Sequence, residues 1–390
     1  MTVNLLAVIL FFITFARVIS RKSMNICIVC GARPNLIKVA PVIRAMETAE
    51  SRGRQIRYQL VYTGAADDAT LDGTLFDDLR IRRPDVFLGV TCSNLNELTG
   101  RVMAAFERYL QQQPADVVVV VDDLASTMAV SIVTKKQGIR LAHIAAGTRS
   151  FDISMPKEIN RLVIDGLSDM LFTAGISNNS IANREGAELS RVFMVGNVLI
   201  DNLRFNHGRL VRPTVCDELG LKEGRYIVFT LNRKALIHDA DNLREMVRAL
   251  DARADGVPVV APLRGPAREA VEACLPKTGG SHIKLIDPLG YLEFCWLTTH
   301  AMGIVTDSGN VAEEATFNQV PCITLNSYTE HIETVKVGTN VLVGEDAAQL
   351  SDAVGRMVRG EWKTAGIPDR WDGRSAERIV RILAESGVQT

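Results

Sequence analysis

The run Val117-Val-Val-Val-Val121 constrains the fold more than any other stretch. β-Branched side chains lose rotamer freedom in a helix and pack well on a pleated surface, so five in a row specify a strand. No polar residue alternates with them, so both faces of that strand must be covered. Such a strand belongs to a parallel sheet with helices on either side. The run ends at Asp122-Asp123, two carboxylates at the carboxyl end of a buried strand. Open α/β sheets hold ligands in the crevice outside those ends.

From Met24 onward strands and helices alternate. Strands are predicted at 26–30, 56–62, 117–121, 141–145, 170–173 and 192–195. Helices are predicted at 36–49, 95–112, 126–137 and 159–167. A polar, irregular passage then intervenes, and a second set of strands follows at 226–230, 258–261, 283–286, 302–306, 322–325 and 341–343. Residues 375–386 form a closing amphipathic helix with Ile379, Ile382 and Leu383 on one face. The fold class is α/β, with two doubly wound Rossmann-like domains facing across a cleft. The expected division is 24–205, a link at 206–222, a second domain at 223–372 and the closing helix at 373–390.

A length of 390 residues allows two such domains. The net charge of −1 gives no basic footprint for nucleic acid. Seven cysteines are scattered, and only Cys27 and Cys30 form a C-x-x-C. They lie in an apolar strand and no second pair completes a zinc site, so core packing explains them better. An odd, unpaired set fits a reducing compartment. Residues 3–19 are almost wholly apolar, with Arg17, Arg21 and Lys22 at or after their end. Two readings stand for residues 1–23. One is an anchor that would tether a cytoplasmic protein to the inner face of a membrane. The other is that translation starts at Met24.

The stretch from Ile304 to Ala315 reads as strand, tight turn and helix start. Asp307, Ser308 and Gly309 can cap the helix and leave its first N–H groups open for an anion. Glu314, one turn in, can accept from a ribose diol, as an acidic residue does in dinucleotide folds. The plainer reading is a capped helix with two solvated acids, Glu313 and Glu314.

Several motifs together resemble the non-hydrolysing UDP-N-acetylglucosamine 2-epimerases. Gly31-Ala-Arg-Pro-Asn-Leu-Ile-Lys38 with Ala40-Pro41 is similar to G-T-R-P-E-x-I-K-x-A-P, and Ala146-Gly-Thr-Arg149 to the end of E-A-G-L-R. Pro156-Lys-Glu-Ile-Asn-Arg161 resembles P-E-E-x-N-R, and Gly196-Asn-Val-Leu-Ile-Asp201 resembles G-N-T-V-I-D. Asp287-Pro-Leu-Gly-Tyr-Leu292 is close to D-P-x-x-Y-L. Thr306-Asp-Ser-Gly-Asn-Val-Ala-Glu-Glu-Ala315 matches T-D-S-G-G-x-Q-E-E-A, and Thr329-Glu330 with Glu333 resembles T-E-R-P-E.

The resemblance implies a glycosyltransferase-B type fold, a UDP-sugar ligand, a homodimer and no cofactor. It implies interconversion of UDP-N-acetylglucosamine and UDP-N-acetylmannosamine for surface polysaccharide. UDP leaves, the C2 proton is removed, and UDP returns after reprotonation on the other face. For binding it points to Arg33, Lys38, Arg149, Asn160, Arg161, Asn232, Ser308, Gly309, Asn310, Glu314 and His331. For chemistry it points to Asp123, the aspartate of the family's G-D-T, with Glu158 and Lys157 at P-E-E. The plainer reading of Asp123 is a helix cap, of Lys157 a solvated lysine, and of Arg33 a residue that fixes the Pro34 turn. For Arg149, Asn160 and Arg161 it is ion pairing within the loop, for His331 a surface role, and for His143 packing in its strand.

The chain departs from the pattern on the sugar side. The glutamate before A-G-L-R is Ala145, the first glutamate of P-E-E is Lys157, and the histidine of G-H-R-R-E is Asn232. Alanine moves no proton, asparagine is no acid near neutral pH, and lysine is a base only when desolvated. Three readings follow: an epimerase with rearranged acid–base groups, a glycosyltransferase using a UDP-sugar at the membrane, or a UDP-sugar binder without catalysis.

Overall fold

The computed structural model describes residues 23–71, 73–277 and 279–386. The predicted anchor at residues 3–19 lies outside them. Two parallel sheets carry the fold. The first contains β1 (Met24–Cys30), β2 (Ile56–Tyr62), β3 (Val86–Phe87), β4 (Val117–Val121), β5 (Arg140–Ala146), β6 (Met170–Thr173) and β7 (Val192–Met194). Their order is β3-β2-β1-β4-β5-β6-β7. The second contains β8 (Ile227–Phe229), β9 (Val259–Pro262), β10 (Ile283–Ile286), β11 (Gly303–Thr306), β12 (Cys322–Thr324) and β13 (Asn340–Leu342), in the order β10-β9-β8-β11-β12-β13.

The valine run is the centre of the first sheet, and all five side chains are inaccessible to water. Successive side chains on a strand point to opposite faces. Val117, Val119 and Val121 therefore pack with Leu36, Val39 and Ile43 on one face. Val118 and Val120 pack with Phe106, Val130 and Val133 on the other. Cys30 joins the first face and Cys27 the second. Burial pushes the Cys27 thiol up to about 12 and the Cys30 thiol higher still, so both behave as core side chains.

Both sheets reverse their strand order once, between β1 and β4 and between β8 and β11. Those two switch points face each other. The helix after β1 begins at Arg33, three residues earlier than predicted, because Pro34 suits a first helical turn. Asn35 Oδ1 accepts from the Gly31 N–H at 3.0 Å and closes that turn.

Three features differ from the sequence reading. A helix, Val198–Asn206, follows β7 where no element was assigned. Within 206–222, Cys216 and Leu221 are buried in the core of the second half, so that end of the passage packs rather than links. The helix Ser375–Ser386 crosses back to the first half, where Trp371, Ile379, Val380 and Leu383 complete its core.

Candidate functional site

The two switch points enclose a cleft of ≈ 630 Å³, within the range of small-ligand pockets. Its first wall is the end of β4 with Asp122 and Asp123, the end of β5 with Ala145, and the helix start at Asn35 and Lys38. Its second wall is Asn232, Arg233, the turn Asp307–Asn310 and the segment Tyr328–His331.

On the second wall Thr230 and Thr306 join the ends of β8 and β11 through a 2.6 Å hydroxyl pair. Ser308 is the N-cap of the helix Gly309–Asn318, its hydroxyl accepting from the Val311 N–H. Gly309 and Asn310 then begin the helix on the cleft surface. The adjacent N–H groups and the helix dipole make this an anion-binding end. Asp307 is used differently from the predicted cap. Its Oδ2 accepts from the Asn232 N–H at 2.7 Å and from the Arg233 N–H at 2.5 Å. Burial raises its pKa, against those same bonds. His331 borders the cleft with its Nδ1 2.8 Å from Glu313 Oε1. Burial opposes the imidazolium, but Glu313 outweighs it and the His331 pKa is raised.

On the first wall Arg161 organises the acids. Its Nε and Nη2 donate to Asp123 Oδ2 at 2.8 and 2.6 Å. Nη1 is 3.1 Å from Glu158, and Nη2 also reaches Glu330 of the second half at 2.7 Å. Burial works against the Asp123 carboxylate, yet Lys157, Arg161 and Lys38 more than offset it and hold its pKa below the usual range. Lys38 puts its Nζ 2.6 Å from Asp122 Oδ1, and Asn35 Nδ2 donates to the other oxygen at 3.0 Å.

Several predicted site residues are occupied elsewhere. Glu158 is buried and its oxygens accept from the Ser150 N–H and hydroxyl, the Phe151 N–H and Arg161. It holds the loop after β5 rather than presenting a carboxylate to the cleft. Lys157 lines the mouth, 3.7 Å from Asp123, with 66% of its side chain exposed. The desolvation that a lysine base requires is absent there. Arg149 touches the cleft wall, but its guanidinium is taken by Asp165 at 2.8 Å and by both oxygens of Glu185. Asn160 is buried and donates to the Asp123 carbonyl at 2.8 Å, so it fixes the backbone under the acid. Arg33 is half-buried at the helix start, between lining residues Ala32 and Pro34.

Glu314 does not line the cleft. It is buried beside Tyr291 and Cys295, and burial followed by the neighbouring Glu313 pushes its pKa up to about 8. The expected ribose contact would need its carboxylate at the cleft surface, and the residue is only 7% exposed. Among the described residues no His, Cys, Asp and Glu group could hold a metal ion.

Residues 48–384 match the family described as UDP-N-acetylglucosamine 2-epimerase. The chain belongs to that family. A UDP-N-acetylglucosamine 2-epimerase of Methanocaldococcus jannaschii is 34% identical over 386 residues, covering 92% of this chain and 99% of that protein. A UDP-2,3-diacetamido-2,3-dideoxy-D-glucuronate 2-epimerase of Pseudomonas aeruginosa is 32% identical over 371 residues, covering 93% and 100%. Among solved structures, the M. jannaschii UDP-GlcNAc 2-epimerase in complex with UDP-GlcNAc and UDP superposes with a TM-score of 0.81. It is 32% identical and covers 93% of this chain and all of that one.

As a member of the UDP-N-acetylglucosamine 2-epimerase family, the chain shows its departures at the cleft surface. Ala145, Lys157 and Asn232 all line it. Arg233, Asn326 and Tyr328 line it too and went unassigned in the sequence reading. Arg233 donates to Asn326 Oδ1 at 2.5 Å and forms an ion pair with Glu345 at 2.8 Å. Its position directly after Asn232, at the end of a strand, was the available signal.

Proposed function

We propose that this chain is a UDP-N-acetylhexosamine 2-epimerase, an isomerase that interconverts UDP-N-acetylglucosamine and UDP-N-acetylmannosamine by UDP elimination and re-addition. The observation that carries the reading is one cleft with opposed chemistry. An open helix amino end at Ser308, Gly309 and Asn310 looks across to paired carboxylates at Asp122 and Asp123. The diphosphate takes the helix end, where N–H groups meet the charge that builds up as the sugar–oxygen bond breaks. The sugar then extends toward the end of β4, where a proton acceptor must meet C2. Arg161 and His331 complete the polar lining. The M. jannaschii complex, which contains UDP-GlcNAc and UDP, supports a UDP-sugar in the corresponding cleft.

The test is direct. Purified protein is incubated with UDP-N-acetylglucosamine, and the nucleotide sugars are followed by proton NMR. The expected result is growth of the 2-epimer to a constant ratio, reached from either substrate. A second reading, a UDP-sugar binder without turnover, is favoured by Ala145 and Asn232 at the cleft surface. Calorimetric binding of UDP with no epimer formed would select it. We also propose a homodimer acting in the cytoplasm, tethered to the membrane if residues 3–19 are translated. Analytical ultracentrifugation of the chain from Met24 tests the dimer.

A further inference from the structure

Position 122 carries an aspartate where the family pattern G-D-T has glycine, and the backbone there still has the glycine-like geometry, with φ at 59°. A non-glycine residue in the left-handed region costs on the order of 1 kcal/mol. The chain tolerates that strain at one end of the central strand, on the cleft surface. The neighbouring strand repeats the pattern. β4 and β5 run in register from Val117 with Arg140 to Val121 with Ile144, and the Asp122 N–H bonds the Ile144 carbonyl at 3.3 Å. Residue 122 therefore lies level with Ala145, which also has a positive φ, 68°, and brings only a methyl group to the cleft. A carboxylate is missing on one strand and present on the next.

The other acids around the cleft are already committed. Asp123 receives two Arg161 N–H groups on one oxygen, with Lys157 nearest the other. Glu158 is saturated, Asp307 holds the Asn232 and Arg233 N–H groups, and Glu330 pairs with Arg161. Glu313 pairs with His331. Asp122 differs in its partners. Both its oxygens are also paired, one with a lysine ammonium and the other with a side-chain amide, but neither partner comes from the Arg161 cluster, and its side chain is 17% exposed against 14% for Asp123.

We propose that Asp122, oriented by Lys38 and Asn35, is the proton-transfer group for C2 of the sugar, replacing a carboxylate absent at Ala145. This rests on the epimerase reading above. In the step, the C2–H bond breaks and its proton passes to the Asp122 carboxylate. The C–H electron pair becomes the C1–C2 double bond. The C1–O bond to the β-phosphate breaks, and its pair leaves on the UDP oxygen. Return of that proton by Asp122 regenerates the starting sugar, and the 2-epimer forms when C2 of the double bond takes a proton, from water or a second acid, on its other face before UDP adds back at C1. Lys38 is a positioning residue: its Nζ meets Asp122 Oδ1 at 2.6 Å and fixes that carboxylate.

The experiment is C2 hydrogen–deuterium exchange of UDP-N-acetylglucosamine in heavy water, read by proton NMR, with UDP affinity measured by calorimetry. Asp122→Asn keeps an acceptor for Lys38, whereas Asp122→Gly suits the positive φ but leaves the buried Lys38 ammonium without its partner, so the melting temperature of each variant is read beside its exchange. Asp122→Gly and Asp122→Asn are expected to lose exchange by about a hundredfold or more, the usual worth of a positioned acid–base group, with UDP affinity kept within about threefold, less than one tenfold step of binding energy. Asp122→Gly combined with Ala145→Glu is expected to regain exchange, since position 145 already carries a β-carbon at its positive φ. Wild-type exchange in Asp122→Gly would overturn the role of Asp122 and leave the epimerase reading standing. No exchange in the wild type with normal UDP binding would overturn both.

Discussion

Arg161 is 4% exposed by its side chain and faces three carboxylates, Asp123, Glu158 and Glu330. Burial alone would weaken its charge, and those acids reverse the effect, so its pKa is raised. Removing one member of a buried ionic cluster leaves charges without compensation, which costs more than the cluster contributes. Arg161→Ala is therefore expected to destabilise the protein by about 3–5 kcal/mol, measured by urea unfolding. Arg161→Lys should recover little, because one ammonium cannot reach three acids as a planar fork does. Motif spacing made Arg161 legible as a site residue, but not its partners. Glu330 lies far along the chain, and nothing in Pro156–Arg161 announces it. The same limit explains Arg149 and Asn160, whose side chains settle on Glu185, Asp165 and the Asp123 carbonyl. Spacing brings residues to a cleft; competition among neighbours decides which atoms remain for a ligand.

Helix ends tie the two halves of the chain together. Asp201, in the helix Val198–Asn206, accepts from the Ser375 N–H at 3.1 Å and from the Ala376 N–H at 2.7 Å. It thus caps the amino end of Ser375–Ser386 from another element. Burial pushes the Asp201 pKa up to about 6, against those two bonds. Because the folded value lies above the unfolded one, near 3.8, this group's contribution is fully present at low pH and is lost as pH rises through 6. Asp201→Ala removes the cap and is expected to cost about 1–2 kcal/mol. Asp201→Asn keeps an acceptor without the charge. Its melting temperature relative to wild type should rise between pH 4 and pH 7, and an unchanged difference would count against a buried charge. Elements with strong local signals were legible in sequence, above all the valine strand and the amphipathic helix at 375–386. The cap was not, because its donor and acceptor are 174 residues apart. β3 was not either, since a two-residue edge strand carries no periodicity.

The molecule as a whole is closed by its last described segment rather than by the passage between its halves. The chain leaves the second half near Arg370, whose carbonyl would lie 2.1 Å from a β-carbon at Gly196, where φ is +98°. Only glycine permits that approach. Trp371, Ile379, Val380 and Leu383 then enter the first core, each at most 5% exposed. Burying four such side chains is worth roughly 6–12 kcal/mol in apolar transfer, against a net stability for an ordinary domain of about 5–15 kcal/mol. The first half is therefore expected to lose its stability without residues from the far end. A chain ending at Asp369 is expected to keep amide protection in β11, whose packing lies within the second half, and to lose it in β1 and in the helix Arg33–Ser51. Hydrogen exchange read by mass spectrometry separates the two regions. Equal protection in both would show that the first sheet needs no cover from Ser375–Ser386. Loss confined to the first sheet would tie the acids of the cleft to that returning helix, because Asp122 and Asp123 stand at the end of the same sheet that it covers.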